Sequence, residues 1–159
     1  LLEELAKLDV RVNEEKTKVV DLTQGETFSF LGFDFRRGKT LSGKWSVRIT
    51  PKMKARTNLL RNLKDIFRRF LSQPIDRVIE LINPKLRGWL NYFRIGHASR
   101  SFSYIKDWVE KKVRRHLLRA RKRSGFGWNR WSRGWFYDKL GLYGDYRIRY
   151  YRPESAASR

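Results

Sequence analysis

The sequence predicts an α+β fold, with antiparallel ribbons first and a helical bundle after them. Three observations carry this. Up to Thr50, apolar residues alternate with polar ones, as on half-buried strands. After Pro51 they recur every three or four residues, as on one face of a helix. Charge changes at the same place. Of 159 residues, 37 are Lys or Arg and 16 are Asp or Glu, a net charge of +21. Residues 1–50 hold 9 basic and 8 acidic side chains, whereas residues 51–159 hold 28 and 8. The coincidence puts a boundary near Thr50-Pro51 and gives the C-terminal part a polyanionic partner, nucleic acid above a membrane.

The elements follow in order. Leu1, Leu2, Leu5 and Leu8 read as the last turns of a helix. Val10 and Val12 alternate, Asn13 to Lys16 turn, and Thr17 to Leu22 resume a strand. Gln24-Gly25-Glu26 turns again. Phe28 and Phe30 share one face, and Phe33 and Phe35 share one after a phase change at Leu31-Gly32, where glycine suits a bulge or tight bend. A loop with Gly38 and Gly43 leads to the returning strand of Trp45, Val47 and Ile49, which Pro51 ends.

Beyond Pro51 an amphipathic helix is expected from about Lys52 to Leu71, broken by Ser72-Gln73-Pro74. Ile75, Val78, Ile79 and Ile82 predict a short second helix that stops at Asn83-Pro84. A third begins there, with Asn83 as its cap and Pro84 in its first turn. Leu86, Trp89, Leu90 and Phe93 form its apolar stripe, while Lys85, Arg87 and Arg94 point elsewhere. Gly88, mid-helix, marks a close approach by another element. Phe102 to Ala120 predict a long helix that ends near Arg123, with Ser124-Gly125 as its stop. The tail, residues 126–159, is rich in Trp and Tyr. A turn or two of helix is expected within Asn129–Leu140, and Tyr146 to Tyr150 alternate like a strand. Its tryptophans read chiefly as a satellite core, and secondarily as rings for stacking on unpaired bases.

Several chemistries are excluded or disfavoured. There is no cysteine, hence no disulfide and no thiolate zinc site. His97 and His116 have no neighbouring ligand at metal spacing and read as surface or core side chains. No apolar run approaches the ~20 residues of a spanning helix. Asp9, Asp21 and Asp34 are not paired with other acids as a two-metal site requires. The candidate binding residues are basic: Lys111, Lys112, Arg114, Arg115, Arg119, Arg121, Lys122 and Arg123 on the long helix, with Arg68, Arg69, Arg87 and Arg94 extending the surface. Such density repels itself unless phosphate is near, and each phosphate neutralised makes binding more salt-dependent.

The order of motifs resembles one family. Asn83-Pro84-Lys85-Leu86-Arg87-Gly88-Trp89-Leu90-Asn91-Tyr92-Phe93 is similar to the maturase-specific segment, domain X, of group II intron-encoded reverse transcriptases. Val12-Asn13-Glu14-Glu15-Lys16-Thr17 resembles a turn late in their palm, and Phe30-Leu31-Gly32-Phe33 the primer-grip hairpin that follows. The resemblance runs from about Leu5 to about Arg123 and implies three parts. Residues 1–50 are the end of the palm, 51–125 the helical thumb and domain X, and 126–159 an aromatic and basic tail.

By that resemblance Lys16 is an accessory palm lysine near departing pyrophosphate, and Leu31 and Gly32 hold the primer end. The helices grip intron RNA and the template–primer duplex, with no membrane partner, in the cytoplasm or organelle of an intron host. The family's magnesium-binding aspartates sit on an upstream Tyr-x-Asp-Asp hairpin, a motif this sequence lacks. No magnesium or other cofactor is therefore expected in this chain, and it is expected not to polymerise by itself. The alternatives are a part recognised by its parent's RNA-directed DNA polymerase activity, or a generic basic nucleic-acid-binding module.

Overall fold

The structure, a computed structural model, describes residues 20–40, 42–122, 124, 127 and 130–149. The helix end expected at Leu1 to Leu8, and the strand and turn from Val10 to Lys16, lie outside them.

Three antiparallel strands open the described fold: β1 (Thr27–Phe30), β2 (Phe33–Lys39) and β3 (Trp45–Pro51), in that order across the sheet. The strand expected through Leu22 gives way to a 3-10 turn, Leu22–Gln24. The cause is local. Asp21 Oδ1 accepts hydrogen bonds from Thr23 N at 2.7 Å and Thr23 Oγ1 at 2.6 Å, a side-chain alternative to a ladder. These bonds also hold the Asp21 carboxyl below its ordinary value.

Leu31 and Gly32 are the two central residues of the β1–β2 hairpin, with φ of 47° and 80°. A two-residue hairpin turn with both φ positive matches the twist of its strands, so the phase change is a chain reversal and not a bulge within one strand. The register sets Phe28 against Phe35 and Phe30 against Phe33. All four rings therefore share one face, and Phe28 stacks on Phe35 with centroids 4.6 Å apart.

Helices α1 (Met53–Arg69), α2 (Ile75–Phe93) and α3 (Ser99–Ala120) follow, then the short α4 (Arg133–Asp138). Leu63, Val78, Ile82, Leu86, Leu90, Ile105, Val109 and Val113 are sealed from solvent where the three long helices meet. The sheet joins this body at its turns. Lys52 N donates to Gly32 O at 2.8 Å, and His97 N donates to Ile49 O at 2.7 Å. Gly96 permits the second junction. Its φ is +81°, and a Cβ there would lie 2.8 Å from Ile49 O.

Three expectations for the helical part are corrected. The chain does not break at Asn83-Pro84; Pro84 lies inside one helix of 19 residues. The apolar stripe from Ile75 through Ile79, Ile82, Leu86 and Leu90 to Phe93 is continuous, and all six are buried. Each such side chain contributes about 1.5–3 kcal/mol when fully buried, enough to outweigh the ~3 kcal/mol of an interior proline.

Asn83 therefore caps nothing. Its amide donates to Gly141 O at 2.8 Å and accepts from Tyr143 N at 2.9 Å. Gly88 marks no close approach either, since nothing lies within 4 Å of where its Cβ would stand.

The tail belongs to the main core rather than to a satellite: Trp131, Phe136, Leu140 and Leu142 are buried in it. The strand expected from Tyr146 is absent, and residues 141–149 run without a ladder beside α2. Helix groups hold the segment near its two ends, Asn83 at one and the Arg94 carbonyl, 3.0 Å from Arg149 N, at the other.

A candidate nucleic-acid interface between two helices

Helices α1 and α3 leave a groove of about 200 Å³ near their C-terminal halves, lined by Lys64, Phe67, Arg68, Leu71, Lys112, Arg115, His116 and Arg119. Five of these eight side chains are cationic and none is acidic. Lys64 and Arg68 lie one turn apart on α1; Lys112, Arg115 and Arg119 lie three and four apart on α3, which aligns them on one face. The apolar floor follows from the same periodicity, because Phe67 belongs to the buried stripe that the cations flank.

Crowding has an electrostatic signature. The Lys112 amine is held below its ordinary value, first by burial and then by Arg115, Lys64 and Arg119. His116, a buried ring in the groove's lining, is fixed by a 2.9 Å hydrogen bond between Nε2 and Gln73 O.

The predicted basic residues divide by location. Arg68, Lys112, Arg115 and Arg119 converge on the groove. Lys111, Arg121 and Lys122 are exposed elsewhere on or just beyond α3. Arg69 borders a separate hollow of about 300 Å³ with Asn62, Asp65, Ile66, Phe70 and Lys85. Arg87 is exposed on α2, its guanidinium 5.4 Å from the Tyr143 ring. Arg123 and Lys16 lie outside the described residues.

Two of the predicted RNA contacts are corrected, because they are buried. Arg94 is 7% exposed; it pairs with Asp145 at 2.9 Å and donates to Asn91 Oδ1 at 2.7 Å. Arg114 is 3% exposed, lies 4.5 Å from the centre of the Phe136 ring and donates to Trp131 O at 3.2 Å. Burial lowers the Arg114 pKa from its ordinary value, opposed by Glu110 beside it. Glu110, itself buried, accepts from Tyr137 Oη at 2.7 Å and pairs with Arg133 Nε at 2.9 Å. Burial, then Glu110, pushes the Tyr137 hydroxyl well above its usual range. These arginines staple α4 and the tail to the bundle.

Lys64 is the groove residue that sequence reasoning missed. Its signal was present, one helical turn before Arg68, but α1 carries basic residues on several faces and only packing selects one. Leu31 is exposed at the hairpin tip, where its carbonyl accepts from Tyr92 Oη at 2.7 Å. Gly32 lies against Phe93.

Of the ribbon aspartates, Asp21 caps the first turn and Asp34 accepts from Ser29 Oγ at 2.6 Å. Among the described residues no three His, Asp or Glu side chains gather as a metal site, and no described helix is long and apolar enough to cross a membrane.

Residues 56–135, half of the chain, match the family model for the group II intron maturase-specific domain. The chain belongs to this family. The matched span takes in most of α1, all of α2 and α3, and the first residues of α4, so the cationic groove lies within it. Membership indicates a maturase role in group II intron splicing. No curated protein sequence matches the chain.

Proposed function

We propose that this maturase domain binds intron RNA through the α1–α3 groove and thereby stabilises the RNA fold that splices. The observation that carries the reading is the convergence of Lys64, Arg68, Lys112, Arg115 and Arg119 with no acid among them. Arginine forks pair bidentately with phosphate oxygens, and a phosphate in the groove offsets the burial and then the repulsion from Arg115, Lys64 and Arg119 that hold Lys112 down. In the same reading residues 51–125 act as thumb and domain X along a template–primer duplex. Residues 1–50 are the end of a palm, with Leu31 and Gly32 at the primer and Lys16 as an accessory group. Polymerisation belongs to aspartates that this sequence lacks.

The second reading is a generic basic sleeve for nucleic acid. The make-up of the groove favours it in one respect: cations that suit phosphate carry no base information. A titration separates the two. The chain is titrated with folded group II intron RNA over a range of salt, with unfolded RNA of equal length as competitor. Preference for the folded intron that survives moderate salt supports maturase binding. Equal affinity, lost steeply with salt, leaves only the sleeve.

A further inference from the structure

A second cationic hollow lies at the other end of α1 and α3. It is a cavity of about 550 Å³ where the polar face of the sheet meets the first turns of both helices. Arg36 comes from β2, Arg56 from α1, and His97 and Arg100 from the start of α3 and the loop before it. Among the described residues Arg36 and Arg100 have no ion-pair partner, and Arg56 stacks 4.4 Å from the centre of the Tyr104 ring. His97 Nδ1 accepts the Ile49 N–H at 3.2 Å, so in the neutral ring the proton sits on Nε2, which is left to donate. No side chain caps either helix N-terminus, and neither first turn holds an acid. The positive ends of two helix dipoles thus add to the three guanidiniums.

We infer that this cleft binds a nucleoside phosphomonoester, as a free nucleotide or as the 5′ end of an RNA strand. A phosphodiester would set a single charge and two free oxygens among three guanidiniums and an imidazole N–H. A phosphomonoester offers three acceptor oxygens and close to two charges. The volume suits a nucleotide. Asp34, the one carboxylate in the lining, disfavours a bare phosphate but can accept from a ribose hydroxyl through the oxygen that Ser29 does not occupy. The cleft is a different site from the groove: Arg56 and Arg68 are twelve positions apart on α1, roughly 18 Å along the axis. This inference does not rest on the groove reading.

The test is fluorescence anisotropy on the full chain with one short 3′-labelled RNA, made with a 5′-phosphate and with a 5′-hydroxyl, at one salt concentration. The phosphorylated strand should bind roughly tenfold tighter, the worth of one charge-assisted hydrogen bond. Arg36→Gln with Arg100→Gln should abolish that preference. Lys64→Gln with Arg115→Gln and Arg119→Gln should weaken both strands and keep the ratio. Arg36→Lys with Arg100→Lys, which retains charge without the fork, should keep part of the preference and guards against a misfolded Gln variant. Competition by a nucleoside monophosphate assigns the free nucleotide as ligand; competition by 5′-phosphorylated strands alone assigns the RNA end. Equal affinity for the two strands in the wild-type chain overturns the inference, and so does a preference that survives in the folded Arg36→Gln, Arg100→Gln variant.

Discussion

Arg94 and Arg114 show how far a residue's type underdetermines its work. Both read as surface cations, and both are buried against a group from a distant part of the chain, Asp145 for Arg94 and the Trp131 carbonyl for Arg114. Arg94 meets Asp145 across the tail, and this pair has a pH signature. Desolvation raises the Asp145 carboxyl, but hydrogen bonds from Arg147 N and Arg94 outweigh it, so the net value lies below the ordinary one. A carboxyl lowered by folding stabilises fully above its unfolded value of about 4, and that contribution is lost as pH falls through the lower folded value. Asp145→Asn should therefore melt below wild type at neutral pH, and the difference should shrink as both are taken below pH ~4. A constant gap across that range would remove the pair from the acid response. Arg68, Lys112, Arg115 and Arg119 were readable as basic surface from spacing, whereas Lys64 was not; the burial of Arg94 and Arg114 was not readable either, because Asp145 and the Trp131 carbonyl come from distant parts of the chain.

Helix α2 and the segment beside it teach the same lesson about local rules. The Asn83-Pro84 dipeptide carries a start signal for a helix. In the fold, a stripe of buried side chains runs past the signal on both sides, and burial outweighs the missing N–H. Asn83, freed from capping, becomes the anchor of residues 141–143. Asn83→Ala removes the partners of Tyr143 N and Gly141 O together and should cost about 2 kcal/mol, the range for leaving a part-buried donor unmet. A chemical-denaturation midpoint unchanged from wild type would show that the tail is held without it. The faces of α1, α2 and α3 were all predictable from period. The course of residues 141–149 was not, because alternation in Tyr146 to Arg149 has no strand edge beside it to pair with.

Taken whole, the molecule concentrates like charge where α1 and α3 run together, and a folded protein without its ligand bears that repulsion. The Arg115→Gln, Arg119→Gln double variant should accordingly move two quantities in opposite directions. RNA affinity should fall, with the salt slope reduced by about 1.4–1.8 for two phosphate contacts. The melting temperature without RNA should hold or rise slightly, as expected where function costs stability. A loss of stability without a change in slope would assign both arginines to structure.

The sheet bears on the same question of what moves with what. Its hairpin tip and returning strand are fastened to the helices by Lys52 N to Gly32 O, Tyr92 Oη to Leu31 O, and His97 N to Ile49 O. Loop amides ordinarily exchange with solvent quickly, through local opening. Those of Lys52 and His97 open only when sheet and bundle part, so in native-state hydrogen exchange they should be protected nearly as well as mid-helix amides such as those of Leu86 and Val109. Ribbon and bundle would then open as one cooperative unit, and a load placed on the hairpin tip would be felt at the cationic cleft between sheet and helices.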